Sequence, residues 1–91
     1  MPNDTDKLPI GNTARVETIA ATSTDFGAVI REQRKRLGLR QVDLAGLGGT
    51  GNRLIVDLEN GKPTVQLQKA LDMLALLGLE VVLRPRTTEM P

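Results

Sequence analysis

The chain has 91 residues, of which 40% are hydrophobic and only Phe26 is aromatic, and its formal net charge is +1. A chain this short supports one small domain that buries around 60% of the surface its unfolded form exposes. With no cysteine and no histidine it lacks disulfide staples, thiolate chemistry and imidazole metal ligands, so a reducing cytoplasmic setting and no cofactor are expected.

Residues 1–23 mix Pro, Asn, Thr, Gly and Asp with little apolar periodicity and read as a flexible N-terminal arm. Within that arm, Arg15 to Ile19 alternates polar and apolar, the pattern of a short strand wherever a sheet edge is available. Helical signals begin at Thr24 or Asp25, either of which can cap a first turn. Phe26, Val29, Ile30 and Leu37 recur at helical spacing and are expected to face inward, leaving Arg31, Glu32, Arg34, Lys35 and Arg36 on the other faces. Gly38 ends this helix. Gln41 to Leu47 forms a second, short one, with Val42, Leu44, Ala45 and Leu47 expected inside, and Gly46, Gly48, Gly49 and Gly51 tighten the connection that follows.

A third helix runs from about Asn52 to Glu59 and is closed by Asn60-Gly61, residues that tolerate the left-handed conformation of a C-cap. Thr64 is expected to cap a fourth helix over Val65 to Leu77, with Leu67, Leu71, Leu74 and Leu77 along one face. The most apolar run, Met73 to Leu79, is interrupted by Glu80, well short of the roughly twenty residues a membrane span requires, and the acidic, polar start does not read as a secretion signal. A soluble chain with no membrane partner is expected. After Gly78, the segment Leu79-Glu80-Val81-Val82-Leu83-Arg84 has strand composition but no partner nearby. Two short helices flanking a glycine turn inside a four-helix domain outline a helix-turn-helix.

The third helix has an exposed side whose use is open at this point. Arg53, Val56, Asp57 and Asn60 share one face, while Leu54, Ile55 and Leu58 lie on the other. In a DNA major groove a guanidinium can grip guanine, an amide can pair with adenine, a carboxylate can accept from cytosine, and an apolar side chain can meet the thymine methyl. Asn52, in the first turn, sits where recognition helices place base-reading side chains. The competing account is a surface ion pair between Arg53 and Asp57, one turn apart, with Val56 packed under a loop. Charge gives modest support to DNA: residues 24–86 hold ten Lys or Arg against seven Asp or Glu, a balance of +3. No phosphate-cradling Gly-x4-Gly-Lys motif and no close carboxylate pair is present, so enzymatic activity is not expected.

Gly38-Leu39-Arg40-Gln41-Val42-Asp43-Leu44-Ala45, then Gly49, then Ile55-Val56-Asp57-Leu58-Glu59-Asn60-Gly61-Lys62-Pro63, resembles the signature of phage-repressor-type, Xre-like or Cro-like helix-turn-helix domains. With a Leu-Glu-Val-Val-Leu segment directly after the last helix, the chain is most similar to HipB-type antitoxins. The resemblance implies a mainly α fold, a four- to five-helix phage-repressor-like helix-turn-helix domain with one C-terminal β-strand pairing across a homodimer. It divides the chain into an arm (1–23), the DNA-binding domain (24–78), a dimerisation strand (79–86) and a tail (87–91). It also implies that Gln41 contacts a phosphate and supports the recognition helix, that Asn60 and Lys62 offer donors to further phosphates, and that Glu59 is structural. Two departures stand out. Arg40 occupies the usual position of a Ser or Thr cap and cannot accept the capping bond, a loss of about 1 kcal/mol, though a cation there can meet phosphate. Gly51 likewise replaces a capping Ser.

A lone strand cannot satisfy its backbone groups or bury its apolar side, so Leu79, Val81, Val82 and Leu83 are expected either to pair with the same strand of a second chain or to lie against Arg15 to Ile19. Pairing about a two-fold axis implies a palindromic double-stranded operator. In that complex Arg40, Lys62 and Arg34 or Arg36 would hold phosphates, while Asn52, Arg53, Val56 and Asp57 would read bases. Likeness to HipB further implies repression of an operon shared with a HipA-like serine/threonine kinase toxin, which the protein would bind and neutralise. A stand-alone regulator and a pure protein-interaction module are the rival functions.

Overall fold

The structure, a computed structural model, describes residues 17–86. The expected arm up to residue 16 and the tail at 87–91 lie outside the described residues, as do Arg15 and Val16 of the alternating segment. Four helices follow one another: α1 (Ser23–Arg36), α2 (Gln41–Leu47), α3 (Asn52–Glu59) and α4 (Leu67–Leu76). No helix among the described residues is long and apolar enough to cross a membrane.

Helix α1 begins earlier than Thr24 or Asp25 because Thr22 and Asp25 cap it reciprocally. The Asp25 N–H donates to Thr22 Oγ1 at 3.0 Å, and the Asp25 carboxylate accepts from the backbone N–H groups of Thr22 and Ala21. The inward stripe of α1 runs through Gly27, Ile30 and Arg34. Leu37, expected inside, is the C-cap and half exposed. Arg34, expected outside, is 7% exposed, because a carboxylate from α3 meets it in the interior.

In α2 only Leu44 and Ala45 are buried; Val42 and Leu47, also expected inside, are 53% and 61% exposed. A helix of seven residues can bury one stripe, and here it is Leu44 and Ala45, continued by half-buried Gln41 at one end and by half-buried Gly48, the C-cap, at the other. Helix α4 departs in a similar way. It starts at Leu67, since a turn through Lys62, Pro63, Thr64 and Val65 consumes the residues assigned to its first turn, and Thr64 does not cap it. Its buried stripe is Ala70, Met73, Leu74 and Leu77; Leu71 packs at the margin and Leu67 is 69% exposed.

Ile30, Leu44, Ile55, Met73 and Leu77, one or more from every helix and from the end of α4, are fully enclosed and form the centre of the core. Helix α1 crosses the end of α3 at Gly27, where an added Cβ would stand 2.5 Å from the Leu58 carbonyl oxygen and 2.6 Å from that of Glu59. Helix α3 closes on Gly61 at φ 78°, a left-handed position, which brings the chain against Thr24 of α1. Both approaches fix the recognition-helix candidate on the long helix. Beyond Gly78, Leu79 donates its N–H to Leu74 O and packs against the core, and residues 80–86 continue without a paired strand among the described residues.

Candidate nucleic-acid interface

The exposed side of α3 is held in place by a buried polar cluster. Arg34 Nε donates to Glu59 Oε2 at 2.6 Å and Nη2 to Glu59 Oε1 at 3.0 Å, while Nη1 donates to the Leu39 carbonyl at 2.7 Å. Gln41 Nε2 reaches the same Glu59 Oε1 at 3.1 Å. One carboxylate at the end of α3 therefore ties the last turn of α1 to the first residue of α2, and Arg34 extends the cluster to the loop before α2. The hydrogen bonds to Glu59 raise the pKa of Arg34 above its ordinary value despite the burial. With all three nitrogens engaged inside, Arg34 is not available to a phosphate. That corrects its expected role and leaves Arg36, which is exposed, of that pair.

The expected DNA-facing residues fall in two groups. Asn52, Arg53 and Asn60 are exposed, and Val56 and Asp57 are half-buried along the same side of α3. Arg53 Nε donates to Asp57 Oδ1 at 3.2 Å, and Lys62 Nζ lies 3.6 Å from Asp57 Oδ2, so each carboxylate oxygen holds one cation. The surface ion pair weighed against base reading is thus present. It leaves the Arg53 side chain 83% exposed.

The second group lies at the start of α2. Gln41 is half-buried and turned to Glu59; Arg40 is exposed and bound to Asp43 through Nη2–Oδ1 at 2.9 Å and Nε–Oδ2 at 3.1 Å. Asp43 also accepts the Arg40 backbone N–H at 2.8 Å. It therefore supplies half of a capping box where the Arg40 side chain cannot, an offset that sequence reasoning missed although an acid three residues into a helix is its signal. The Arg40 hydrogen bonds hold the Asp43 carboxyl below the usual carboxylate range. Between the two groups an open cleft of about 510 Å³ is lined by Arg31, Arg40, Gln41 and Asn60. On the other flank of α3 a second cleft, about 310 Å³, is bordered by Asp57, Lys62 and Lys69. Lys69, in the first turn of α4, was not among the expected contacts.

Among the described residues no group of three His, Cys, Asp or Glu side chains could hold a metal ion. The arrangement offers amides and the Arg53 guanidinium along α3, with the Arg40 guanidinium and the Lys62 ammonium beside it, a donor set suited to base edges and phosphates.

Known proteins share both the sequence pattern and the shape. The chain is 52% identical over 60 residues to the uncharacterized HTH-type transcriptional regulator y4mF of Sinorhizobium fredii (strain NBRC 101917 / NGR234), covering 66% of this chain and 79% of that protein. Its fold matches a point-substituted HipB in an O2 20mer complex with a TM-score of 0.71 at 21% identity, over 77% of this chain and 97% of that one. HipB in an O4 20mer complex matches with a TM-score of 0.70 at 22% identity, over 76% and 97%. The family model described as a helix-turn-helix domain matches residues 25–86, from the capped start of α1 through the segment after α4, and the chain belongs to that family.

Proposed function

We propose that the protein is a sequence-specific DNA-binding transcriptional repressor that acts as a homodimer on a palindromic operator, with α3 as its recognition helix. The observation that carries this reading is the exposed side of α3, presenting Asn52, Arg53, Val56, Asp57 and Asn60 on a helix locked by the Arg34–Glu59–Gln41 cluster. A rigid element with a polar, partly basic flank suits base reading, because a loosely held helix would lose side-chain and backbone freedom on docking. Arg40, Gln41 and Lys62, bordering the two clefts, are the proposed phosphate contacts.

The dimer is supported by the segment after α4. Val81, Val82 and Leu83 are 44%, 62% and 90% exposed. Symmetric pairing of two such segments would cover these side chains and satisfy their backbone groups. Leu79, packed on its own chain's core, would anchor the strand to the domain.

Likeness of the fold to HipB supports a narrower role, the antitoxin of a HipA/HipB-like pair that binds a kinase toxin and represses the shared operon. A second reading is a stand-alone Xre-family regulator without a toxin partner; the likeness to y4mF, described as an HTH-type transcriptional regulator, supports the regulator that both readings share. Gel shifts across a series of stated salt concentrations test the DNA reading. Arg53→Ala is expected to relax preference at one base pair, whereas Lys62→Ala weakens all duplexes alike and lowers the salt slope by about 1. An effect of Arg53→Ala that is equal on operator and scrambled duplexes would contradict it. Recovery of a kinase-like protein in a pull-down from the native host separates the antitoxin from the stand-alone regulator.

A further inference from the structure

Arg53 is hydrogen-bonded to its own helix through one of its three nitrogens. Nε donates to Asp57 Oδ1 at 3.2 Å, and the terminal Nη1 and Nη2 make no hydrogen bond among the described residues. Asp57 is itself fixed: its other oxygen faces Lys62 Nζ at 3.6 Å, and its backbone carbonyl accepts the Lys62 N–H at 3.0 Å. The Asp57 side chain is 23% exposed against 83% for Arg53, so the carboxylate forms a base from which the guanidinium projects.

We propose that Asp57 is a positioning residue that confines Arg53 to reading a guanine edge. This rests on the reading of α3 as the recognition helix. Gripping guanine O6 and N7 needs two parallel N–H groups in a fixed plane, and the terminal pair supplies them while Nε is held. A free arginine on a DNA-facing helix has a competing use, since it can swing to a phosphate and bind any sequence. The Asp57 carboxylate opposes that use twice, by holding the side chain through Nε and by repelling phosphate near it. Asp57 therefore acts through Arg53 and needs no base of its own.

The test uses the full chain and a duplex that the wild-type protein selects from a random pool, together with variants of that duplex in which each half-site guanine is changed to adenine. Wild type is expected to discriminate at one guanine by roughly tenfold or more. Asp57→Asn should lose most of that discrimination while binding scrambled duplex as well as wild type or better. Asp57→Glu, which keeps a carboxylate one turn from Arg53, should recover part of it. In an Arg53→Ala background, Asp57→Asn should change nothing further at that guanine. A purely structural role would instead lower affinity for every duplex alike with the guanine preference intact. That result, or a guanine preference that survives Arg53→Ala, would overturn the proposal. If wild type retains no duplex from the pool, DNA reading itself fails and the inference falls with it, an outcome distinct from the loss of one preference.

Discussion

Arg34 keeps a charge inside a small core because Glu59 meets it with two hydrogen bonds and Leu39 takes a third. Removing one partner leaves the other buried and unpaired, so Arg34→Met is expected to destabilise the fold by about 3–5 kcal/mol in urea unfolding. The double change Arg34→Met with Glu59→Leu is expected to recover most of that loss. It would also release Gln41, so its DNA affinity should stay low after stability returns. Asp25 and Asp43 behave differently. Backbone N–H donors at Ala21 and Thr22 and the Thr22 hydroxyl hold Asp25 below the usual carboxylate range, and Arg40 does so for Asp43. A pKa lowered by folding contributes stability that is present above the unfolded aspartate value of about 3.9 and is lost as pH falls through the lower folded value. Melting temperatures should therefore drop on acidification below about pH 4, and Asp25→Asn with Asp43→Asn should flatten that part of the profile.

The elements were legible in the sequence in unequal measure. Helix α3, its bounds and its buried Ile55 and Leu58 followed from periodicity and the Asn60-Gly61 stop. Its partners did not. Glu59 and Arg34 are 25 positions apart, and no local pattern reveals that an arginine flanked by Gln33 and Lys35 turns inward to meet a distant acid. Val42 and Leu47 of α2 were misplaced because seven residues give less than two full turns of pattern, and the start of α4 because the turn at Pro63 overrode the capping preference of Thr64. Gly27 carried no signal at all, since its value lies in the carbonyls of α3 that it lets approach. Alanine there raises local helix propensity but drives a methyl into the Leu58 and Glu59 carbonyl oxygens. Gly27→Ala is expected to lose about 1–3 kcal/mol by urea unfolding, and to weaken DNA binding because α3 must shift. An unchanged midpoint would show that the α1–α3 crossing yields easily.

At the scale of the molecule, the proposed recognition helix with its few polar side chains would make a small interface, and a second copy would double it while imposing symmetry on the site. In the single chain, the segment carrying Val81, Val82 and Leu83 leaves its apolar side chains in water. Light scattering should therefore give about twice the chain mass of 9.9 kDa, and Val82→Asp should return the protein to a single chain with weakened operator binding. A +3 balance over residues 24–86 helps association with DNA without selecting sequence. In the proposed complex, selectivity rests on the side of α3. The most direct measurement is selection of bound duplexes from a random pool at a stated salt concentration. A two-fold symmetric consensus is expected, with half-site centres about 34 Å, one helical turn, apart. A pool that emerges without any enriched sequence would contradict it.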